Sequence, residues 1–276
     1  MGDELELIGL VAFGFAVGTY GTIIGLGGGF IIVPALLLLY PDYEPEQVTA
    51  ISLAVVCANT ISGSIAYARQ GRIDYVTGLL FAASSAPGVL AGVFLVGLVP
   101  ERGFTIAFAL LLLALAGLAL RGPPRGIRRP LAGPGVIVRS LVTPEGTYRY
   151  GYRLWQAISL SMGVGLISSL FGIGGGAVYV PAMISLLHFP VQFAVATSQF
   201  ILAFMTGGAT AVHLATGTLA SDQLVKAAAL AAGSVPGAQA GAHIARRMKG
   251  RTIVKLLVVA LVLVSGRVLL RGITGT

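Results

Sequence analysis

Ten residues beginning at Gly25, Gly-Leu-Gly-Gly-Gly-Phe-Ile-Ile-Val-Pro, return at Gly172 as Gly-Ile-Gly-Gly-Gly-Ala-Val-Tyr-Val-Pro, an offset of 147. Two further matches follow in the same order. Ala50-Ile51-Ser52 pairs with Ala196-Thr197-Ser198 at an offset of 146, and Pro87-Gly88 with Ala91-Gly92 pairs with Pro236-Gly237 and Ala240-Gly241 at 149. Three matches in order at nearly constant spacing identify an internal duplication, so whatever the first half folds into, the second must fold into as well.

Each half carries five apolar segments, near 6–24, 26–40, 47–68, 75–99 and 104–120, then 155–171, 174–188, 191–216, 223–243 and 252–270. Crossing a hydrocarbon core takes about 20 apolar residues, a length that most of these segments approach or reach. With 56% hydrophobic and 10% charged residues, no soluble domain has room to fold between them. The first segment follows Asp3, Glu4 and Glu6 rather than a basic region and runs into glycines rather than a cleavage site, so it reads as a retained helix. The expected fold is an all-α polytopic membrane protein.

The second segment of each half is short for a full crossing and contains a proline, Pro34 or Pro181. Because the glycine cluster separates it from the first segment, the two read as a broken helix hairpin. Its tip either spans fully or enters the membrane and returns. In both cases the chain comes back to its starting side, and three further segments make the crossing number odd. Two odd repeats in succession insert with opposite orientation, which brings the glycine tips toward each other near the midplane. The expected division is a first membrane repeat over 1–121, a basic cytoplasmic linker over 122–153 and a second repeat over 154–276.

A net charge of +8 would suggest a nucleic-acid partner in a soluble protein, but the cations gather in loops. Arg121, Arg125, Arg128, Arg129, Arg139, Arg149 and Arg153 span the central connection, and Arg246, Arg247, Lys249 and Arg251 form a second cluster. This is the bias of cytoplasmic loops, so no nucleic acid is expected. An N-terminus outside a plasma membrane places Asp42, Glu44, Glu46 and Asp222 outside and the arginine loops inside. Within the linker, Gly-Pro-Gly followed by Val136-Ile137-Val138 and a turn at Thr143 to Gly146 resembles a short surface hairpin, to which no chemistry is assigned.

Two features point to a substrate. Gly27, Gly28 and Gly29, with Gly174, Gly175 and Gly176, open helices where free backbone N–H groups and the helix dipole can hold an anion without a charged side chain. The alternative is close helix packing by small residues. A polar stripe on the third segments, Ser52, Asn59 and Thr60 against Thr197, Ser198 and Gln199, either meets that anion or joins helices. Pro34, Pro87, Pro181 and Pro236 are kink or hinge candidates. Asp74 and Asp222 fall near segment ends, where a carboxylate reaches water, and are candidates for proton coupling. Cys57 stands alone, and His188, His213 and His243 share no metal-ligand spacing, so neither metal nor cofactor is expected. No catalytic motif is present.

The glycine motifs with trailing prolines, the Ala-x-Ser elements and the Pro-Gly-x-x-Ala-Gly elements resemble the TauE/SafE sulfite exporter family over nearly the whole chain. The resemblance implies a permease for sulfite, a sulfonate or a related sulfur-containing anion, with Gly27 to Gly29, Pro34, Ser52, Gly174 to Gly176, Pro181 and Ser198 carried over. Gln199 stands where the first half has Leu53, so the pocket is expected to be asymmetric. An anion channel built on the same tips is the rival reading.

Overall fold

The computed structural model describes residues 2–120, 134–143, 146–187 and 189–274. Five helices, α1 (Gly2–Ile24), α2 (Gly29–Leu39), α3 (Pro45–Arg69), α4 (Tyr75–Val96) and α5 (Glu101–Leu120), precede a β hairpin of β1 (Val136–Thr143) and β2 (Gly146–Arg153). Five more follow: α6 (Leu154–Phe171), α7 (Gly176–Ser185), α8 (Val191–Ala215), α9 (Ser221–Arg247) and α10 (Gly250–Thr274). Among the described residues, seven helices are long and apolar enough to cross a membrane: α1, α3, α4, α5, α6, α8 and α10. The short α2 and α7 are apolar as well. Alanine, glycine and charged ends make α9 less apolar over a comparable length.

The hairpin foreshadowed in the linker forms, antiparallel, from Val136 opposite Arg153 to Thr143 opposite Gly146. It is not a surface ornament. Tyr150 and Tyr152 are buried, with their rings at 4.0 Å from Phe189 and 5.6 Å from Phe81. The expected all-α architecture holds with this hairpin beside it, and the buried tyrosines correct only the hairpin's surface placement. The arginines at 121, 125, 128 and 129 lie outside the described residues, as does His188.

The helices exchange partners in a regular way. α1 packs on α9 as α6 packs on α4; α3 meets α9 as α8 meets α4; α2 meets α3 as α7 meets α8; α3 with α8 and α5 with α10 pair with each other. The two principal seams are built on glycine. A β-carbon at Gly233 would lie 1.9 Å from the Val11 carbonyl oxygen, and one at Gly88 would lie 2.0 Å from that of Met162. Small residues let backbones approach where apolar lipid offers no hydrophobic drive for helix association. Gly88 and Gly237 directly follow Pro87 and Pro236, and their β-carbons would lie 2.0 and 2.4 Å from the carbonyl oxygens of Met162 and Phe15, so each proline removes a helical N–H beside a close approach in its seam.

The connections gather at two ends. At one, Tyr40 bonds Glu6, Tyr43 bonds Asp222, and Thr218 donates to Glu46 at 2.9 Å. At the other, Asp74 meets Arg139 and Tyr150, while Gln70 donates to Ala242 and Gln192 to Met248. Acidic side chains concentrate at the first end and arginines at the second. More of α3 and α8 is buried than of any other spanning helix, so their crossing is the centre of the molecule.

Candidate functional site

Where α1 gives way to α2 the chain reverses through Gly25, Gly27 and Gly28, at φ of 82, 73 and 96°. Gly172, Gly174 and Gly175 repeat this between α6 and α7 at 67, 77 and 80°. A side chain disfavours this left-handed backbone, which accounts for the residue type at both turns. Gly25 to Phe30 and Gly172 to Ala177 are buried throughout.

The two turns touch. A β-carbon at Gly29 would lie 2.5 Å from the Gly172 carbonyl oxygen, and one at Gly176 would lie 2.4 Å from that of Gly25. Two serines lock this contact crosswise. Ser52 on α3 donates to the Gly172 carbonyl at 2.7 Å, and Ser198 on α8 donates to the Gly25 carbonyl at 2.8 Å. Each serine thus holds the turn that follows the first helix of the opposite half.

Neither α2 nor α7 has a side-chain cap. Among the described residues, the N–H groups of Gly28, Gly29 and Phe30, and of Gly175, Gly176 and Ala177, find no hydrogen-bond acceptor. Two positive helix ends with unpaired donors therefore lie close together in the interior. Val56 and Leu202 pack against both turns. A β-carbon at Gly27 would lie 2.7 Å from Val56 and 3.5 Å from Leu202, and one at Gly174 would lie 2.6 and 3.5 Å from the same side chains. Thr60 and Thr206 flank the pair, each hydroxyl turned back to its own helix at 2.7 Å, on the carbonyls of Val56 and Leu202. These apolar side chains close off the two helix starts.

The remaining site candidates divide. Asn59 is engaged with protein groups: its amide donates to the Gly18 carbonyl at 3.2 Å and to the Ser234 hydroxyl at 2.9 Å, and its oxygen accepts from Thr22 at 3.0 Å. It joins α1, α3 and α9. Replacement by leucine is expected to cost about 1–3 kcal/mol, because Ser234 and Thr22 lose buried partners, and thermal unfolding in detergent measures it. Gln199 differs. Its nitrogen reaches only the Gly21 carbonyl at 3.5 Å, and its buried oxygen has no partner, whereas Leu53 in the corresponding position is apolar and fully buried. Pro34 and Pro181 lie buried inside α2 and α7, where the missing N–H leaves the carbonyls of Phe30 and Ala177 without a helical donor.

Asp74 does not reach water. Its side chain is fully buried and ion-paired to Arg139 at 3.0 Å, so its sequence-based assignment as a water-accessible proton site is corrected. Burial pushes its carboxyl up, but hydrogen bonds from Arg139, Tyr150 and Thr77 outweigh that and hold it below the usual carboxylate range. Asp222, by contrast, is 61% exposed. Sequence reading passed over Val56, Leu202 and Thr206. The offset of 146 that relates Ser52 to Ser198 also relates Val56 to Leu202 and Thr60 to Thr206, and it is the signal that finds them. Among the described residues, no three His, Cys, Asp or Glu side chains could together hold a metal ion.

A family model described as sulfite exporter TauE/SafE matches residues 10–268. The chain is 34% identical over 279 residues to the probable membrane transporter protein YunE of Bacillus subtilis (strain 168), covering 98% of this chain and 99% of the relative. It is 26% identical to a probable membrane transporter protein of Xylella fastidiosa (strain 9a5c), covering 77% and 84% of the two chains. It is 27% identical to the probable membrane transporter protein MJ0441 of Methanocaldococcus jannaschii, covering 76% and 73%. No solved structure gives a significant match.

Proposed function

Because the chain belongs to the sulfite exporter TauE/SafE family of membrane transporters, we propose that it carries a small sulfur-containing oxyanion, sulfite or an organosulfonate, by alternating access. The observation that carries this reading is the pair of buried, uncapped helix N-termini held crosswise by Ser52 and Ser198. Backbone N–H groups at a helix start bind an anion, and two such starts lying close together suit a compact group with several oxygens. Gly27 to Gly29 and Gly174 to Gly176 form the site, with Ser52 and Ser198 positioning it and the amide nitrogen of Gln199, held only by a 3.5 Å contact to the Gly21 carbonyl, as a donor on one side. The described apolar contacts of Val56 and Leu202 favour a carrier over an open channel, because they close the centre.

The membrane arrangement follows the same reading. Residues 1–121 and 154–276 are repeats of opposite orientation joined by the linker 122–153. This is supported by the hairpin of α1 and α2 beginning and ending at the acidic end, where Tyr40 bonds Glu6, while β2, which leads into α6, lies beside Phe189 at the basic end. With the arginine-rich end in the cytoplasm, the N-terminus lies outside the plasma membrane. Pro87 and Pro236, at the glycine seams, are the natural flexing points.

The test is uptake of radiolabelled sulfite, and of a simple sulfonate, into proteoliposomes under imposed proton and sodium gradients. Saturable uptake with counterflow is expected. Unitary currents without saturation would move the assignment to a channel, and no flux of either anion by folded protein would remove the substrate class.

A further inference from the structure

The two carboxylates at the starts of corresponding helices, Asp74 before α4 and Asp222 in the first turn of α9, stand 148 residues apart and occupy matching clusters at opposite ends of the molecule. Each accepts a hydrogen bond from a tyrosine hydroxyl and pairs with a cation. At the basic end these are Tyr150 and Arg139, whose Nη2 lies 3.0 Å from one carboxylate oxygen and Nε 3.3 Å from the other. At the acidic end they are Tyr43 and Lys226, at 2.8 Å, with the ammonium also lying over the rings of Tyr40 and Tyr43. The clusters also bridge the same elements. Tyr43 lies in the connection between α2 and α3, and its counterpart at an offset of 146, Phe189, lies between α7 and α8 with its ring against Tyr150.

We propose that these clusters are the two gates of the transport cycle, Asp74 with Arg139 and Tyr150 closing the basic mouth and Asp222 with Tyr43 and Lys226 closing the acidic one. The β hairpin is the closing piece of the basic gate, which is the part it plays in a chain whose other elements are duplicated.

The gates are unequal. The Asp74 side chain is buried and receives further bonds from the Thr77 backbone and hydroxyl, whereas Asp222 is 61% exposed to solvent that competes for it. An exposed pair is worth little, and a buried one resists removal of either partner. The acidic mouth is therefore the one that opens more readily from this conformation.

Contacts run from the basic gate to both glycine turns. Asp74 donates its backbone N–H to the Thr197 hydroxyl at 3.0 Å, and Thr197 is followed by Ser198, which holds the Gly25 carbonyl. Tyr152 bonds Thr77 at 3.0 Å and packs on Phe81, which stacks in turn on Tyr179, three residues past Gly176 in α7. Opening the hairpin thus removes support from the two helix starts together.

This assignment rests on the alternating-access reading, and its test separates the two. Arg139→Gln, with Tyr150→Phe as a milder variant that keeps the ring, and Asp222→Asn are compared with wild type in nanodiscs by amide hydrogen exchange. For both hairpin variants, exchange is expected to rise about tenfold or more in residues 171–179 and 195–199 as well as in the hairpin, while residues 40–46 keep their protection. Asp222→Asn is expected to raise exchange at 40–46 and leave the hairpin unchanged. In vesicles of known orientation, Arg139→Gln should lower the half-saturating sulfite concentration on the basic face and raise it on the acidic face, because apparent affinity scales with the fraction open to that face. Asp222→Asn should do the reverse more weakly. Exchange confined to the hairpin, unchanged everywhere, or raised equally at both ends overturns the gates. The expected exchange pattern without sulfite flux keeps the gates and removes sulfite as the cargo.

Discussion

Alanine at Gly29 and Gly176 together is expected to abolish sulfite uptake while each single change leaves a reduced rate. Neither glycine has a positive φ, so the effect is a pure test of contact rather than of backbone conformation. The new methyl groups would lie 2.5 and 2.4 Å from the carbonyl oxygens of Gly172 and Gly25, and within 2.9 Å of further backbone atoms of Ile173 and Leu26. Backbone cannot step aside as a side-chain tip can, so the turns must separate, and with them the acceptors of Ser52 and Ser198. Overpacking of this kind costs about 1–3 kcal/mol per site. Gly163→Ala, on an open face of α6 with no atom within 4 Å, is the control and should gain up to about 1 kcal/mol from helix propensity. Uptake and thermal unfolding of wild type and the four variants decide the matter. A double variant that transports like wild type would mean that the turns are not where substrate is held.

Asp74→Ala should be the most damaging single change to a charged residue, at about 3–5 kcal/mol, because it strands Arg139 and Tyr150 against the bundle and removes the cap on α4. The pH dependence has a definite sign. The folded carboxyl titrates below its unfolded value of about 3.9, so its contribution is fully present above that pH and is lost as pH falls through the folded value. Wild type should therefore lose stability on acidification below about pH 4, and Asp74→Ala should lose less over the same interval. Unfolding temperature in detergent between pH 3 and pH 7 checks both statements. Parallel curves for the two proteins would show that Asp74 carries no such linkage.

The elements were legible in the sequence because their signals are local. Apolar length, the paired glycine motifs and the turn residues around 143–146 locate the helices and the hairpin. The duplication went further, since a constant offset places Ser198 opposite Ser52 without any structure. What could not be read were partners chosen by tertiary packing. Nothing near Ser52 announces the Gly172 carbonyl, which lies 120 residues away, and nothing near Asp74 announces Arg139, 65 residues on in a hairpin with no chemistry of its own. Asn59 shows the converse difficulty. A polar side chain in an apolar helix reads equally as a substrate contact or as helix glue, and only its bonds to Gly18, Ser234 and Thr22 show what it holds.

The glycine seams have a bearing on how the protein is made. α1 leaves the ribosome ahead of α2 to α8, yet the carbonyls of its packed face meet their glycines only when α9 has followed all of these into the membrane. Until then that face must rest on lipid, on the insertion machinery or on a temporary neighbour. α4 waits only for α6, so its seam closes much sooner. Assembly is thus expected to proceed from the middle of the chain outward, with the first helix inserted among the earliest and seated among the last.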